Sequence, residues 1–175
     1  MKLAGVALAV SLIATLLVYS TWQKNSQVSS GQMIFEQKNR AIYPELDILL
    51  ADSWVHVKDL QPKVLWLHYW ASWCGPCLEE LPILEKALAQ VSTHDVQLLL
   101  INVDKKKDRK TATDLLKPYQ KLLALNIFDH KSKYVAQVLP SNDLLDANRK
   151  LAARFFGNLN LVEVIPPLVR QLADE

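Results

Sequence analysis

The order of apolar runs in this 175-residue chain predicts an α/β domain, with a mixed central sheet and helices on both faces, behind an N-terminal anchor helix. Three observations lead there. From residue 64 onward, strand-like and helix-like runs follow one another as β-α-β-α-β-β-α, the pattern of a sheet layered with helices. Two of the strand runs, Val64 to Trp70 and Val96 to Val103, are almost uninterrupted in apolar residues, as strands covered on both faces are. Leu3 to Tyr19 is apolar apart from Ser11 and Thr15; at about 17 residues it sits at the short end of what spans a bilayer.

Taken in order, residues 1–22 read as a transmembrane signal anchor, with Lys2 before the apolar run and the interfacial Tyr19 and Trp22 at its end. A cleaved signal peptide is the alternative, and either reading exports the remainder of the chain. Residues 23–42 are polar and read as a linker, within which Met33-Ile34-Phe35 is a short strand or helix. The domain proper is read as 43–175. Leu46 to Val57 has two apolar stretches around Ala51-Asp52-Ser53, an N-terminal hairpin. A helix is expected from about Pro76 to Val91, with Pro76 in its first turn and a kink at Pro82. Residues 108 to 125 have helical spacing interrupted by Pro118. Asn126 to Asp129 is a short strand and Lys133 to Val138 a helical turn. A strand before Ala147-Asn148-Arg149 returns antiparallel as Leu151 to Phe156. In the last segment, Pro166-Pro167 is expected to break the helix and leave its main part after them.

Composition excludes some classes. Twenty Lys and Arg against eighteen Asp and Glu give a net charge of +2, and half the residues are hydrophobic, so neither nucleic-acid binding nor general disorder is indicated. The basic cluster at Lys105 to Lys110 reads as a solvated loop or helix start, with a docking patch for an acidic partner as the alternative.

The chemistry concentrates in Cys74-Gly75-Pro76-Cys77, which holds both cysteines of the chain. A bridge across two residues hardly constrains the unfolded chain, so these cysteines are reactive rather than structural. A strand leads in and a helix leads out, which sets the first sulfur at a helix N-terminus, where unpaired N–H groups and the dipole favour the thiolate. Cys74 is then the nucleophile, and Cys77, one turn on, resolves a mixed disulfide. Zinc needs four ligands, and His56, His68, His94 and His130 offer no pair at ligand spacing; two-coordinate copper(I) is the metal alternative that stays open.

Ala71-Ser72-Trp73-Cys74-Gly75-Pro76-Cys77 resembles the active site of the thioredoxin superfamily, and Glu80 and Pro82 after it resemble its membrane-tethered, extracytoplasmic, TlpA-like branch. The resemblance spans residues 43 to 175, densest at the cysteines. It implies a thioredoxin-like fold and a thiol–disulfide oxidoreductase that reduces disulfides of exported proteins, cytochrome c maturation being one family role. It implies a periplasmic or other extracytoplasmic domain held on a bacterial cytoplasmic membrane and supplied with electrons by an upstream membrane thiol reductase. No organic cofactor or metal is implied, the Cys74–Cys77 disulfide being the redox group. Disulfide oxidase or isomerase, or a copper-binding or redox-inert module, are the rival readings.

The resemblance further implies that Pro140 is a cis-proline that leaves backbone free for a substrate strand. Leu139, Trp73, Gly75 and Pro76 would line the substrate surface, and Glu80 would tune cysteine ionisation. His68 stands where thioredoxin has a buried aspartate and is a candidate proton acceptor, with a hydrogen-bonded core histidine as the plain alternative. Asn142 and Asp143 replace the apolar residues usual after the cis-proline. Counting along the strand sets Asn142 beside His68, where the two are expected to hydrogen-bond. Asp143, on the opposite face, then needs exposure or a Lys or Arg partner.

Overall fold

The computed structural model describes residues 32–35, 40–132, 136, 138–157 and 159–175. The anchor read over 1–22, most of the linker, and most of the helical turn read from Lys133 lie outside the described residues. Among those described, no helix is long and apolar enough to cross a membrane.

The main sheet has six strands. They are β1 (Gln32–Phe35), β4 (Val64–Trp70), β5 (Val96–Asn102), β6 (Asn126–Ile127), β8 (Ser141–Leu145) and β9 (Leu151–Phe156), in the order β1-β9-β8-β4-β5-β6. The pairs β4–β5 and β5–β6 are parallel, and β8 lies antiparallel to both β4 and β9. β1, from the stretch read as linker, pairs with β9 and so belongs to the domain. A second sheet joins β2 (Leu46–Leu50), β3 (Ser53–His56) and β7 (His130–Ser132). The expected hairpin is β2–β3. Its two turn residues, Ala51 and Asp52, both have positive φ, 43° and 68°, the turn whose twist suits a two-residue hairpin.

Strand alternation divides the core. Val64, Trp66 and Trp70 of β4 face one cluster, and Leu65, Leu67 and Tyr69 face the other. The first cluster takes the buried residues of α1 (Gly75–Leu88), α2 (Arg109–Leu116), α3 (Gln120–Ala124) and α4 (Leu161–Ala173). The second is closed by Tyr43, Leu46, Ile48 and Val57 from around the small sheet. The expectation of helices on both faces is therefore corrected for the described residues. The crossovers β4-α1-β5 and β5-α2-α3-β6 step the same way across the sheet, and because such connections share one hand as a rule, their helices land on the same side.

The other correction is α4, which runs unbroken through Pro166 and Pro167. Each interior proline costs about 3 kcal/mol. The helix buries Leu161, Ile165, Val169 and Leu172 on one stripe, and each such side chain returns about 1.5–3 kcal/mol, so packing outweighs the missing bonds. α1 likewise continues through Pro82, whereas Pro118 does separate α2 from α3.

Asp143 is fully buried, so of the two expected outcomes, exposure or a basic partner, exposure is excluded; Arg154 stands directly opposite on β9. The guanidinium donates two bonds, of 2.6 and 2.8 Å. Tyr43 donates to the same carboxylate at 2.6 Å, and its oxygen lies 2.8 Å from that of Tyr69. Tyr43 has one proton and gives it to Asp143, so Tyr69 donates to Tyr43. Breaking such a pair strands a charge. Arg154→Met is expected to lower unfolding free energy by about 3–5 kcal/mol, measured by urea denaturation.

Candidate active site

The site is built where β4 ends and α1 begins. The backbone turns at Ala71, and the Cys74 N–H donates to the Ala71 carbonyl at 3.1 Å. Cys74 is the N-cap of α1, its sulfur accepting the Cys77 N–H at 3.3 Å. This sets the sulfur against the unpaired donors of the first turn, where a thiolate is favoured. The two cysteines form a disulfide with Cα atoms 5.2 Å apart. Cys74 keeps 6% of its surface and Cys77 none, so an incoming sulfur reaches Cys74 first.

The surroundings are open. Trp73 is 68% exposed, and a Cβ built on Gly75 would meet nothing within 4 Å; that glycine leaves the surface beside Cys74 clear and fills no tight spot. Pro76 follows in the first turn of α1, where its missing N–H is not needed. The Leu139–Pro140 bond is cis, and Leu139 packs against the cluster that contains both cysteines.

The turn ahead of Cys74 is tied down by residues whose role the sequence alone did not show. Asp104, at the end of β5, accepts from the Ser72 N–H at 2.9 Å, the Ser72 hydroxyl at 3.0 Å and the Asn102 amide at 2.8 Å. The signal available in the sequence was an aspartate directly after an apolar strand run.

Below the cysteines lies a buried polar group. Trp66 and His68 point from β4 to the helix side, and α1 lays Cys77, Glu80, Leu81 and Leu84 over them. His68 Nδ1 lies 2.9 Å from Asn142 Oδ1, the contact expected from strand counting. Asn142 Nδ2 donates to Glu80 Oε1 at 3.4 Å, and Trp66 Nε1 donates to Asn142 Oδ1 at 2.9 Å. The Trp66 contact was not foreseen, although a buried indole N–H generally has a partner. His68, Glu80 and Asn142 have no exposed surface.

Burial sets their charge. Desolvation pushes the Glu80 carboxyl up to about 8, the Asn142 amide acting weakly against it. Desolvation also pushes His68 down to about 4, its bond to Asn142 opposing. Glu80 Oε2 and His68 Nδ1 are 3.8 Å apart, close enough for an ion pair, yet at neutral pH both groups are uncharged. Among the described residues, no three His, Cys, Asp or Glu side chains gather around a point where a metal ion could be held.

The family model described as AhpC/TSA matches residues 42–160. The chain belongs to the AhpC/TSA family. Membership agrees with the thioredoxin-like fold and with the resemblance carried by Trp73 to Cys77. The thiol-disulfide oxidoreductase ResA of Bacillus cereus is 24% identical over 107 residues, 59% of this chain and 60% of that protein. ResA of Oceanobacillus iheyensis is 33% identical over 52 residues, 30% of this chain and 27% of the relative. The chain thus spans less than two thirds of these curated relatives. Among solved structures, a DsbF homologue from Corynebacterium diphtheriae superposes with a TM-score of 0.62 at 25% identity, covering 83% of this chain and 95% of the other. StoA from Bacillus subtilis, at 21% identity and a TM-score of 0.55, covers 71% and 96% and shows the shared fold.

The two buried groups give opposite pH dependences. Glu80 binds its proton up to about 8 when folded but only to its ordinary 4.5 when unfolded, so its contribution to stability is greatest below 4.5 and falls as pH rises to 8. His68 resists protonation down to about 4 when folded but accepts a proton near 6.5 when unfolded, so stability is lost as pH falls through that window. Between pH 6.5 and 8 only the Glu80 slope operates. The oxidised chain should lose about 2 kcal/mol across that interval, and Glu80→Gln should flatten the loss, as read from denaturant midpoints.

Proposed function

We propose that this chain is a thiol–disulfide oxidoreductase that works through Cys74 and Cys77 and reduces disulfides of exported proteins. One observation carries the reading: the disulfide closes at the N-terminus of α1 with Cys74 keeping a small opening to solvent and Cys77 none. Family membership and relatives named as thiol-disulfide oxidoreductases support it.

In the reducing direction, the Cys74 thiolate attacks one sulfur of a substrate disulfide. A mixed disulfide forms, and the other substrate sulfur leaves with the bonding pair and takes a proton. Cys77 then loses its proton and attacks Cys74 Sγ, which closes the Cys74–Cys77 bond and frees the second substrate thiol. Glu80, three residues beyond Cys77 and buried with it on the inner face of α1, is the acid–base group placed to serve the resolving sulfur, and His68 lies behind it. Trp73, Gly75, Pro76, Leu139 and Pro140 are the surface on which a substrate strand would rest. A dithiol in an upstream membrane thiol reductase would restore the reduced pair, with residues 1–22 as anchor, 23–31 within the tether, and the domain outside the cytoplasmic membrane. Cytochrome c maturation is a role this arrangement suits. The disulfide itself carries the electrons, and no other cofactor enters.

The test is insulin reduction by the full chain. Cys74→Ser should abolish turnover. Cys77→Ala should still attack once and accumulate a mixed disulfide, and an adduct on Cys74→Ser instead would reverse the two roles. The potential of the pair separates reductase from oxidase: a reductase is expected near the roughly −270 mV of thioredoxin, and a value close to about −120 mV would make the chain an oxidant.

A further inference from the structure

The polar group beneath the cysteines has more order than hydrogen-bond distances alone state. An amide's oxygen and nitrogen are told apart by their partners. The Trp66 indole N–H can only donate. It points at Asn142 from 2.9 Å, so the atom it meets is the amide oxygen, and the amide NH2 is turned toward Glu80 Oε1 at 3.4 Å. The same amide oxygen lies 2.9 Å from His68 Nδ1, and two acceptors would repel at that distance, so Nδ1 carries hydrogen. A neutral ring then has its lone pair on Nε2, which is buried and has no hydrogen-bond partner in the structure. Since Glu80 Oε1 already accepts, the acid's hydrogen belongs on Oε2, which is also buried without a hydrogen-bond partner.

We propose that Trp66, acting through the Asn142 amide, fixes where both buried protons sit: on Nδ1 of His68 and on Oε2 of Glu80. Asn142 and Trp66 are positioning residues in this assignment. Its bearing on thiol chemistry rests on the proposed activity, and the proton positions do not. When the thiolate of a dithiol partner opens the disulfide at Cys74, the bonding pair stays on Cys77 Sγ. That sulfur needs a proton, and Glu80, one turn further along the buried face of α1, is placed to give one from Oε2–H and be left as a carboxylate. His68 Nδ1 is 3.8 Å from the charged oxygen. The one hydrogen on Nδ1 is given to Asn142 Oδ1; the assigned tautomer therefore sets an N–H dipole on the side of the ring nearest that oxygen, where the other would set a lone pair. The lock therefore keeps a lone pair away from the acid before the charge appears. Among the described residues, the other titratable groups of this layer are the two cysteines. Leu100 of β5, Phe155 of β9 and Ile165 of α4, all apolar, face it, and Asp104 is bound to Ser72 and Asn102.

Nitrogen NMR of the oxidised full chain, labelled at histidine, reads this directly. One of its four histidines should show a protonated, pyrrole-type Nδ1 and an unprotonated, pyridine-type Nε2, unchanged from about pH 5.5 to about pH 8. His68→Gln assigns the signal by its loss. Trp66→Phe frees the amide to turn over, and the Nε2 resonance should shift toward the average of the two tautomers. A pyrrole-type Nε2 in the unaltered chain overturns the assignment, as does a His68 that titrates with the other three. An unshifted tautomer in folded Trp66→Phe overturns the role of the indole. The unaltered chain's spectrum decides the proton positions even where that variant does not fold, and whether or not the chain reduces disulfides.

Discussion

The arrangement under α1 depends on one hydrogen bond, from the Trp66 indole to the Asn142 amide. Without it the amide has no preferred face, and an imidazole and a carboxyl group would lie buried with partners that change. Removing either group from water costs several kcal/mol when nothing compensates. Here each remains neutral and shares one amide, so the layer contains polar atoms but no charge. A helix can then pack over it as it packs over the flanking Trp66, Trp70 and Leu144.

The opposite face of the sheet solves the same problem differently. Asp143 is bound by Arg154, which stands across from it on β9, and by the Tyr43 hydroxyl. Two neighbouring residues of β8 thus serve two separate clusters. The helix side keeps a movable proton close to sulfur chemistry. The other side keeps a fixed ion pair far from it.

Much of this was legible from residue types and spacing. Cys74 and Cys77 announced themselves, since a lone pair of cysteines between a strand and a helix has little structural use. The His68–Asn142 contact followed from counting along strands, and the cost of burying charge left two outcomes for Asp143, exposure or a basic partner, of which the structure takes the second. What stayed hidden depends on tertiary packing. The unbroken α4 is a case where local proline chemistry loses to a buried apolar stripe. The one-sided placement of the helices comes from the direction of successive crossovers, which apolar runs do not encode. The roles of Trp66 and Asp104 needed distances between residues far apart in sequence.

The alternation of Asn142 and Asp143 has a consequence for how β8 finds its place. A slip of one residue would exchange the faces on which their side chains lie. The carboxylate would then arrive beneath the helix without its guanidinium, and the Arg154 guanidinium would be left facing an amide that carries no charge. Misaligned pairing is thereby penalised by charge as well as by shape, and the strand polices its own alignment during folding.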